Sequence, residues 1–279
     1  MNKSFIQVDQ DKCMKCGVCA TVCPGVLGMG GNGPQVIRDL CVSCGQCVAV
    51  CPTGALDNAN TPLDKQQALQ ALPPIDEQAA ARFLRVRRSI RNYQPQAVPR
   101  DKILKLLDIA RMAPTACNSQ GVAYHVVDRP GILQQLAAVV IDWLEGELQD
   151  NPVLAAAKYA PHMAMMVEDY RRQGDEVVFR SAPCLIIALA DKDSFAGGRD
   201  NTYISFAYAQ LYATALGLGT CWAGLFEYCA AAGYQPLLRL LNLPANMQVT
   251  SGMMVGYPQF TYQRLVDRNP LQVTWQQSQ

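Results

Sequence analysis

The sequence predicts an α+β protein in two parts: a small cysteine-rich domain over residues 1–60 and a larger mixed domain over residues 81–279. Three observations carry that prediction. Eight of the twelve cysteines fall in two copies of one run, Cys13-x-x-Cys16-x-x-Cys19-x-x-x-Cys23-Pro24 and Cys41-x-x-Cys44-x-x-Cys47-x-x-x-Cys51-Pro52. Residues 61–80, with Thr61-Pro62 and Pro73-Pro74, read as a linker. Beyond them, helical periodicity alternates with short apolar runs. At 279 residues the chain exceeds one typical domain, and with 50% hydrophobic and 17% charged residues it can build real cores.

The cysteine spacing has a chemical reason. Three thiolates at i, i+3 and i+6 can turn inward onto one iron–sulfur cubane, while the fourth, just before a proline, reaches the other cluster. This is the run of bacterial two-cluster ferredoxins. The rule assigns Cys13, Cys16, Cys19 and Cys51 to a first [4Fe-4S] cluster and Cys41, Cys44, Cys47 and Cys23 to a second. Pro24 and Pro52 fix φ and stop the short helical turn of each copy. Zinc, the competing metal for C-x-x-C pairs, takes four ligands per site and leaves the third cysteine and the Cys-Pro of each run unexplained. A disulfide framework belongs to secreted chains, and Met1 to Gln10 has no apolar signal region. Clusters and free thiols point to a reducing cytoplasm. Between the copies, Gly28-Met-Gly-Gly-Asn-Gly33 formally matches G-x-G-x-x-G. With Pro34 behind it and cysteine loops on both sides, it reads as a turn rather than a dinucleotide site.

In the second domain, residues 100–112 place Ile103, Leu106, Leu107 and Ala110 on one helical face. Residues 122–128 read as a strand, 132–148 as a helix and 153–173 as another. Cys184 to Ala190 is an apolar strand of the fully buried kind. Residues 201–216 form a long helix ended by Gly217 and Gly219, and 248–256 form a last strand.

Composition excludes several functions. A net charge of +1 argues against a dedicated nucleic-acid binder. The longest apolar run, residues 184–190, is far too short to span a bilayer. Lys3, Lys12, Lys15 and Arg38 balance Asp9, Asp11, Asp39 and Asp57 in the cysteine-rich part. Such a neutral electron carrier fits one whose acceptor is already attached. His125 and His162 are the only histidines, too few for a zinc site, with His125 structural in its strand and His162 a candidate for a substrate pocket. Cys117, Cys184, Cys221 and Cys229 read as buried thiols.

Arg82, Arg85, Arg87, Arg88 and Arg91 put five guanidinium groups in ten residues. Two readings stand: a solvated basic helix face, or a clamp in which arginine forks meet phosphate oxygens.

Four segments, in order, resemble the flavin-dependent nitroreductase family. They are Arg87-Arg88-Ser89-Ile90-Arg91, Ala113-Pro114-Thr115-Ala116-Cys117-Asn118-Ser119-Gln120, Phe179-Arg180-Ser181-Ala182-Pro183, and Gly217-Leu218-Gly219-Thr220-Cys221-Trp222. With the N-terminal unit the chain resembles a ferredoxin–nitroreductase fusion. The resemblance implies a central sheet flanked by helices and an FMN cofactor. It implies that Arg87, Ser89 and Arg91, with Arg88 beside them, hold the FMN phosphate and ribityl chain, with Arg268 as a further basic contact. It places Pro114, Thr115, Ala116 and Asn118 on a loop that crosses a homodimer interface to the partner's flavin. Trp222, Ala223 and Gly224 would line the isoalloxazine, with a backbone N–H reaching the reactive nitrogen. Gly121 and Val122 stand where the family usually carries Pro and Trp, a departure beside the substrate pocket.

The function implied is an FMN-dependent oxidoreductase fed by two intramolecular [4Fe-4S] clusters. A low-potential donor (ferredoxin, flavodoxin or NAD(P)H) would reduce it, and it would reduce a nitro compound, quinone or enone. No side chain stands out as a general acid or base, which suits chemistry carried by the cofactor. The alternative is an electron-transfer adaptor between a one-electron carrier and a protein or nicotinamide partner.

Overall fold

The structure, a computed structural model, describes residues 4–69, 72–193 and 198–276. The chain forms two compact units: Met1–Asp76 with Thr115–Gln120, and Glu77–Pro114 with Gly121–Gln279.

In the first unit, strand β1 (Ile6–Val8) is followed by helix α1 (Val18–Val22), a hairpin of β2 (Leu27–Gly30) and β3 (Gly33–Val36), helix α2 (Gln46–Ala49) and β4 (Leu56–Asn58). β1 pairs antiparallel with β4, and β2 with β3. The glycine-rich stretch is therefore a hairpin, its glycines spread over both strands and the turn between them. The two cysteine runs share a backbone. Gly17 and Gly45 precede the helices at φ 77° and 73°. Lys15 and Ser43, at corresponding positions, take φ 52° and 56°. Non-glycine residues rarely adopt this region, and repeated use of it marks a constraint on the loops. The core is small: Ile6, Leu27, Val48 and Leu56 pack with Cys19 and Cys47.

The second unit is built on a four-stranded antiparallel sheet of β5 (Ala123–Val127), β6 (Cys184–Asp191), β7 (Gly219–Trp222) and β8 (Met247–Gly256), in the order β5-β6-β8-β7. Side-chain alternation along β6 sends Leu185, Ile187 and Leu189 to one core and Cys184, Ile186 and Ala188 to the other. Both faces are covered, which is why this strand is apolar throughout. Each fully buried Leu or Ile here contributes about 1.5–3 kcal/mol.

One face carries helices α5 (Pro130–Asp150), α7 (Ala160–Gln173), α9 (Gly224–Ala231) and α10 (Gln235–Leu241). The other carries α4 (Arg100–Ala110) and α8 (Gly198–Ala215). Helix α3 (Glu77–Val86) opens the unit. It buries no residue fully.

The single helix expected over residues 153–173 is two. A short α6 (Pro152–Ala155) is capped by the Asn151 side chain, which accepts from Val153 N and Leu154 N. Pro161, in the first turn of α7, favours a fresh helix start because it cannot donate to a preceding turn. Helices α9 and α10 fall in stretches where no periodicity had indicated a helix.

Candidate functional site

Two sets of side chains in the structure carry chemistry, one in each unit. In the first unit, Cys13, Cys16, Cys19 and Cys51 line one cavity, together with Met29, Pro34 and Leu56. The thiolates of Cys41, Cys44 and Cys47 act electrostatically on Cys23. Four sulfurs thus share one cavity, with Cys51 coming from the other run, and Cys23 lies within electrostatic reach of the three leading cysteines of the second run. Burial pushes the Cys19, Cys23 and Cys47 thiols up. Burial also acts on Cys51, but hydrogen bonds from Thr53, Ala55 and Leu56 outweigh it and hold that thiol below its usual range. Iron binding displaces the thiol protons, so such donors assist ligation. The donor set, all thiol with apolar walls, fits an iron–sulfur cluster.

Side chains from outside the runs also reach the second group. Asn58 Nδ2 lies 3.8 Å from Cys41 Sγ and 3.9 Å from Cys47 Sγ. Asn118 Nδ2 donates to the carbonyls of Val42 and Ser43, both at 2.9 Å, within the loop from Cys41 to Cys44. Thr115, Ala116 and Asn118 therefore belong with the cysteine unit, and Pro114 ends the preceding segment of the other. Cys117 and Asn118 sit at φ 51° and 52°, and Gln120 N is held by Thr115 Oγ1 at 3.0 Å. Cys117, expected to be buried, is exposed on this loop, whereas Cys184, Cys221 and Cys229 are buried.

In the second unit the arginine-rich segment divides. Arg82 and Arg85 lie exposed on α3, as a solvated face requires. Arg87 and Arg88 instead line a cavity of about 320 Å³ with Ile90, Gln210, Gly217, Leu218, Gly219, Thr220, Phe260 and Tyr262. The segment has no helix or strand of its own. Ile90 N donates to Thr220 O at 2.9 Å, and Ser89 bridges Thr220 in parallel. Tyr93 then bridges Pro258, flanked by Gln94 N to Tyr257 O and Gln259 N to Asn92 O. Gly219 makes this approach possible: a Cβ there would stand 2.4 Å from Ile90 Cγ1.

Arg88 is fixed over the Tyr262 ring at 4.0 Å and donates to Arg264 O at 3.1 Å. Arg87 donates to Gln210 Oε1 at 3.4 Å. Gln210 is buried, and its Nε2 finds no partner among the described residues. Two guanidinium groups lining a cavity, with the buried and unpaired Gln210 N–H behind them, suit an acceptor-rich, anionic group. The phosphate of FMN has that chemistry. Ser89 is half-buried beside the cavity and Arg91 is exposed. Arg268 is also exposed and lies outside the cavity lining, where Phe260, Thr261 and Tyr262 stand instead.

Trp222, Ala223 and Gly224 sit where β7 passes into α9. Trp222 packs edge-on to Tyr203 with ring centres 5.0 Å apart. Ala223 N donates to Gly252 O at 2.9 Å. Around Gly224 a Cβ would meet nothing within 4 Å, so a flat ring can approach its backbone. The first N–H groups of a helix lack intrahelical acceptors, and those of α9 begin at this glycine. Glu227 secures the junction: Oε1 accepts Ser251 Oγ at 2.6 Å and Gly252 N at 3.1 Å, and Oε2 accepts Tyr203 OH at 3.1 Å. Burial pushes the Tyr203 phenol up, against the hydrogen bonds from Arg199. His125 lies in β5 and His162 is exposed on α7.

Gln210, Tyr262, Glu227 and Asn58 were not singled out from sequence. For Gln210 the signal was an amide among the small and apolar positions of α8, a helix that also holds Asn201. The other three carry no local mark.

Comparison with known proteins finds a family for each part of the chain. The 4Fe-4S binding domain matches twice, at residues 6–25 and 34–57. The Nitroreductase family matches residues 84–257. A NADH dehydrogenase of Thermus thermophilus is 27% identical over 198 residues, covering 67% of this chain and 89% of that protein. A 5,6-dimethylbenzimidazole synthase of Rhodobacter capsulatus is 24% identical over 211 residues, covering 72% and 92%. The solved structure of a nitroreductase with bound FMN from Bacteroides fragilis covers 72% of this chain and all of its own, with a TM-score of 0.56 at 18% identity, a likeness of fold. The chain belongs to the nitroreductase family and carries a 4Fe-4S binding domain with two cysteine runs ahead of the family's own domain.

Proposed function

We propose that this protein is an FMN-dependent oxidoreductase that takes single electrons through two [4Fe-4S] clusters and reduces a small organic acceptor such as a nitro compound, quinone or enone. One observation carries the reading: a single chain holds two complete runs of four cysteines and, in its nitroreductase-family domain, a cavity lined by Arg87, Arg88 and Gln210, whose Nε2 is unpaired among the described residues. When bound, the clusters supply electrons one at a time and the flavin supplies reduction by two.

The chain's own residues bind and orient. Arg87 and Arg88 hold the FMN phosphate, and Tyr262 keeps the Arg88 guanidinium flat and in place. Gly224 leaves its backbone open to the flavin ring. Glu227 ties α9 to β8, so that the Ala223–Gly224 amides keep a fixed direction. The working form is a homodimer, and the donor is a low-potential carrier or NAD(P)H. No helix among the described residues is long and apolar enough to cross a membrane.

The test uses the full chain, purified without oxygen, and its Cys19→Ala and Cys47→Ala variants. Each variant should lose one cluster and keep its flavin, because no clamp residue lies in the first unit. Rapid mixing with a reduced one-electron carrier should then show flavin reduction slowed at least tenfold, while direct chemical reduction of the flavin is unaffected. Variants that reduce flavin from the carrier as fast as the parent would take the clusters off the path and refute the reading.

A further inference from the structure

The two cysteine runs share a backbone but differ in what touches their sulfurs. The repeat that carries Cys13 onto Cys41 carries Gly30 onto Asn58. The first copy thus has a hydrogen where the second has a carboxamide. Asn58 is 1% exposed. Its Oδ1 accepts from Asn60 N at 2.9 Å, which orients the amide with its N–H groups towards Cys41 and Cys47. A buried amide is costly unless both ends are satisfied, and here sulfur is the partner of the nitrogen end. Cys41 Sγ also accepts Ser43 N at 3.4 Å. In the other group, Cys51 accepts Ala55 N at 3.3 Å and lies 3.8 Å from the Thr53 hydroxyl, both from its own loop.

We propose that Asn58 is a positioning residue for the second four-iron cluster: its amide N–H groups, divided between Cys41 and Cys47, raise the reduction potential of that cluster and set it apart from the first. The proposal rests on Cys41, Cys44, Cys47 and Cys23 being the ligands of that cluster. Reduction adds one electron to an anionic cluster and leaves every ligand bond in place. Hydrogen bonds to the sulfurs stabilise the more negative state and so raise the potential. They weigh most where water is excluded, as around this side chain.

Two substitutions separate tuning from folding. Asn58→Asp keeps an oxygen for Asn60 N but exchanges the donors to sulfur for a negative charge, which lowers the potential further, so the effect of losing the donors without a new charge is read from the neutral Asn58→Ala. Asn58→Ala removes oxygen and donors together. The full chain and each variant are reconstituted without oxygen, assayed for iron and sulfide, and titrated potentiometrically with electron paramagnetic resonance. The signal that persists in the Cys19→Ala chain is assigned to the second cluster. The expected result is full iron content, an unmoved first potential and a lowered second potential in both Asn58 variants. At a fixed poise the ratio of reduced to oxidised second cluster should fall about tenfold, ~59 mV for a one-electron couple. Full iron content with both potentials unmoved would overturn the proposal. So would loss of the second cluster's iron from both variants, which would make the residue one of assembly. A parent chain without two four-iron signals would instead refute the ligand assignment itself.

Discussion

The clamp segment is held against β7 by a contact that tolerates no side chain at residue 219. A Cβ built there lies 2.4 Å from Ile90 Cγ1 and 2.8 Å from Ile90 Cβ, where ordinary contact begins near 3.4 Å. The Ile90 Cβ is bound to the backbone, so a rotamer change cannot relieve it and the segment must retreat by roughly 0.6–1 Å. Retreat stretches the 2.9 Å bond from Ile90 N to Thr220 O. Overpacking costs about 1–3 kcal/mol, and weakening a buried backbone hydrogen bond adds about 1 kcal/mol. Gly219→Ala should therefore lose about 3 kcal/mol and lower the melting temperature of the second unit by roughly 6–12 °C. Because Arg87 and Arg88 ride on the displaced segment, the variant should also retain less flavin. Gly198→Ala is the control: its Cβ would stand 2.6 Å from Ala190 Cβ at the start of α8, a clash outside the clamp segment and outside the Ala223–Gly224 junction. Calorimetry and flavin content after gel filtration read both effects. If Gly219→Ala melts within 1 °C of the parent (roughly 0.3 kcal/mol) with full flavin, the clamp is not set by this contact.

Two further outcomes are expected. Arg87→Ala should weaken FMN binding roughly tenfold to a hundredfold, about 1.5–3 kcal/mol for one charge-assisted contact, and equilibrium dialysis showing unchanged affinity would remove Arg87 from the phosphate site. Burial pushes the Cys184 thiol from 9.0 up to about 12, so this group's stabilising contribution is complete below pH 9 and is lost as pH rises towards 12, by about 1.4 kcal/mol per unit. Denaturant unfolding at pH 8 and pH 10 should show that slope in the parent and a shallower one in Cys184→Ala, and identical slopes would exclude Cys184 as its source.

What could be read from the chain beforehand follows the range of the interactions involved. The cysteine runs are local geometry, each set within a few residues, and so their grouping is legible from spacing. Strand β6 is legible because both its faces are buried and every position must be apolar. Arg87 and Arg88 are set apart from Arg82 and Arg85 beforehand by the family resemblance alone, and the physical ground for the division, the point where α3 ends, is visible only in the structure. Gln210, Tyr262 and Glu227 escape a linear reading because their partners lie tens of residues away or more. Arg88 meets the backbone of Arg264, and Glu227 meets Ser251 and Tyr203. Asn58 escapes for a different reason. An asparagine after a cysteine run, here with Asn60 close behind, reads as a turn residue, and only the burial of its amide beside two sulfurs gives it another role.

The same contrast separates the stabilities of the two sites. Among the described residues the first unit's core cluster has six buried members, and two of them are the cluster cysteines Cys19 and Cys47. So small an apolar core cannot hold loops that place Lys15 and Ser43 at positive φ, and small domains of this kind lean on metal or disulfide cross-links. Cluster insertion is then part of folding the first unit, because the metal binds the folded arrangement and not the open chain. The second unit draws on two extended cores packed on either face of its sheet, and its arginine cavity is fixed by backbone bonds to β7 and to residues 257–259. Oxidative loss of the clusters should therefore unfold the electron feed while leaving the flavin site standing. The chain would keep its cofactor and still fail to turn over from a one-electron donor.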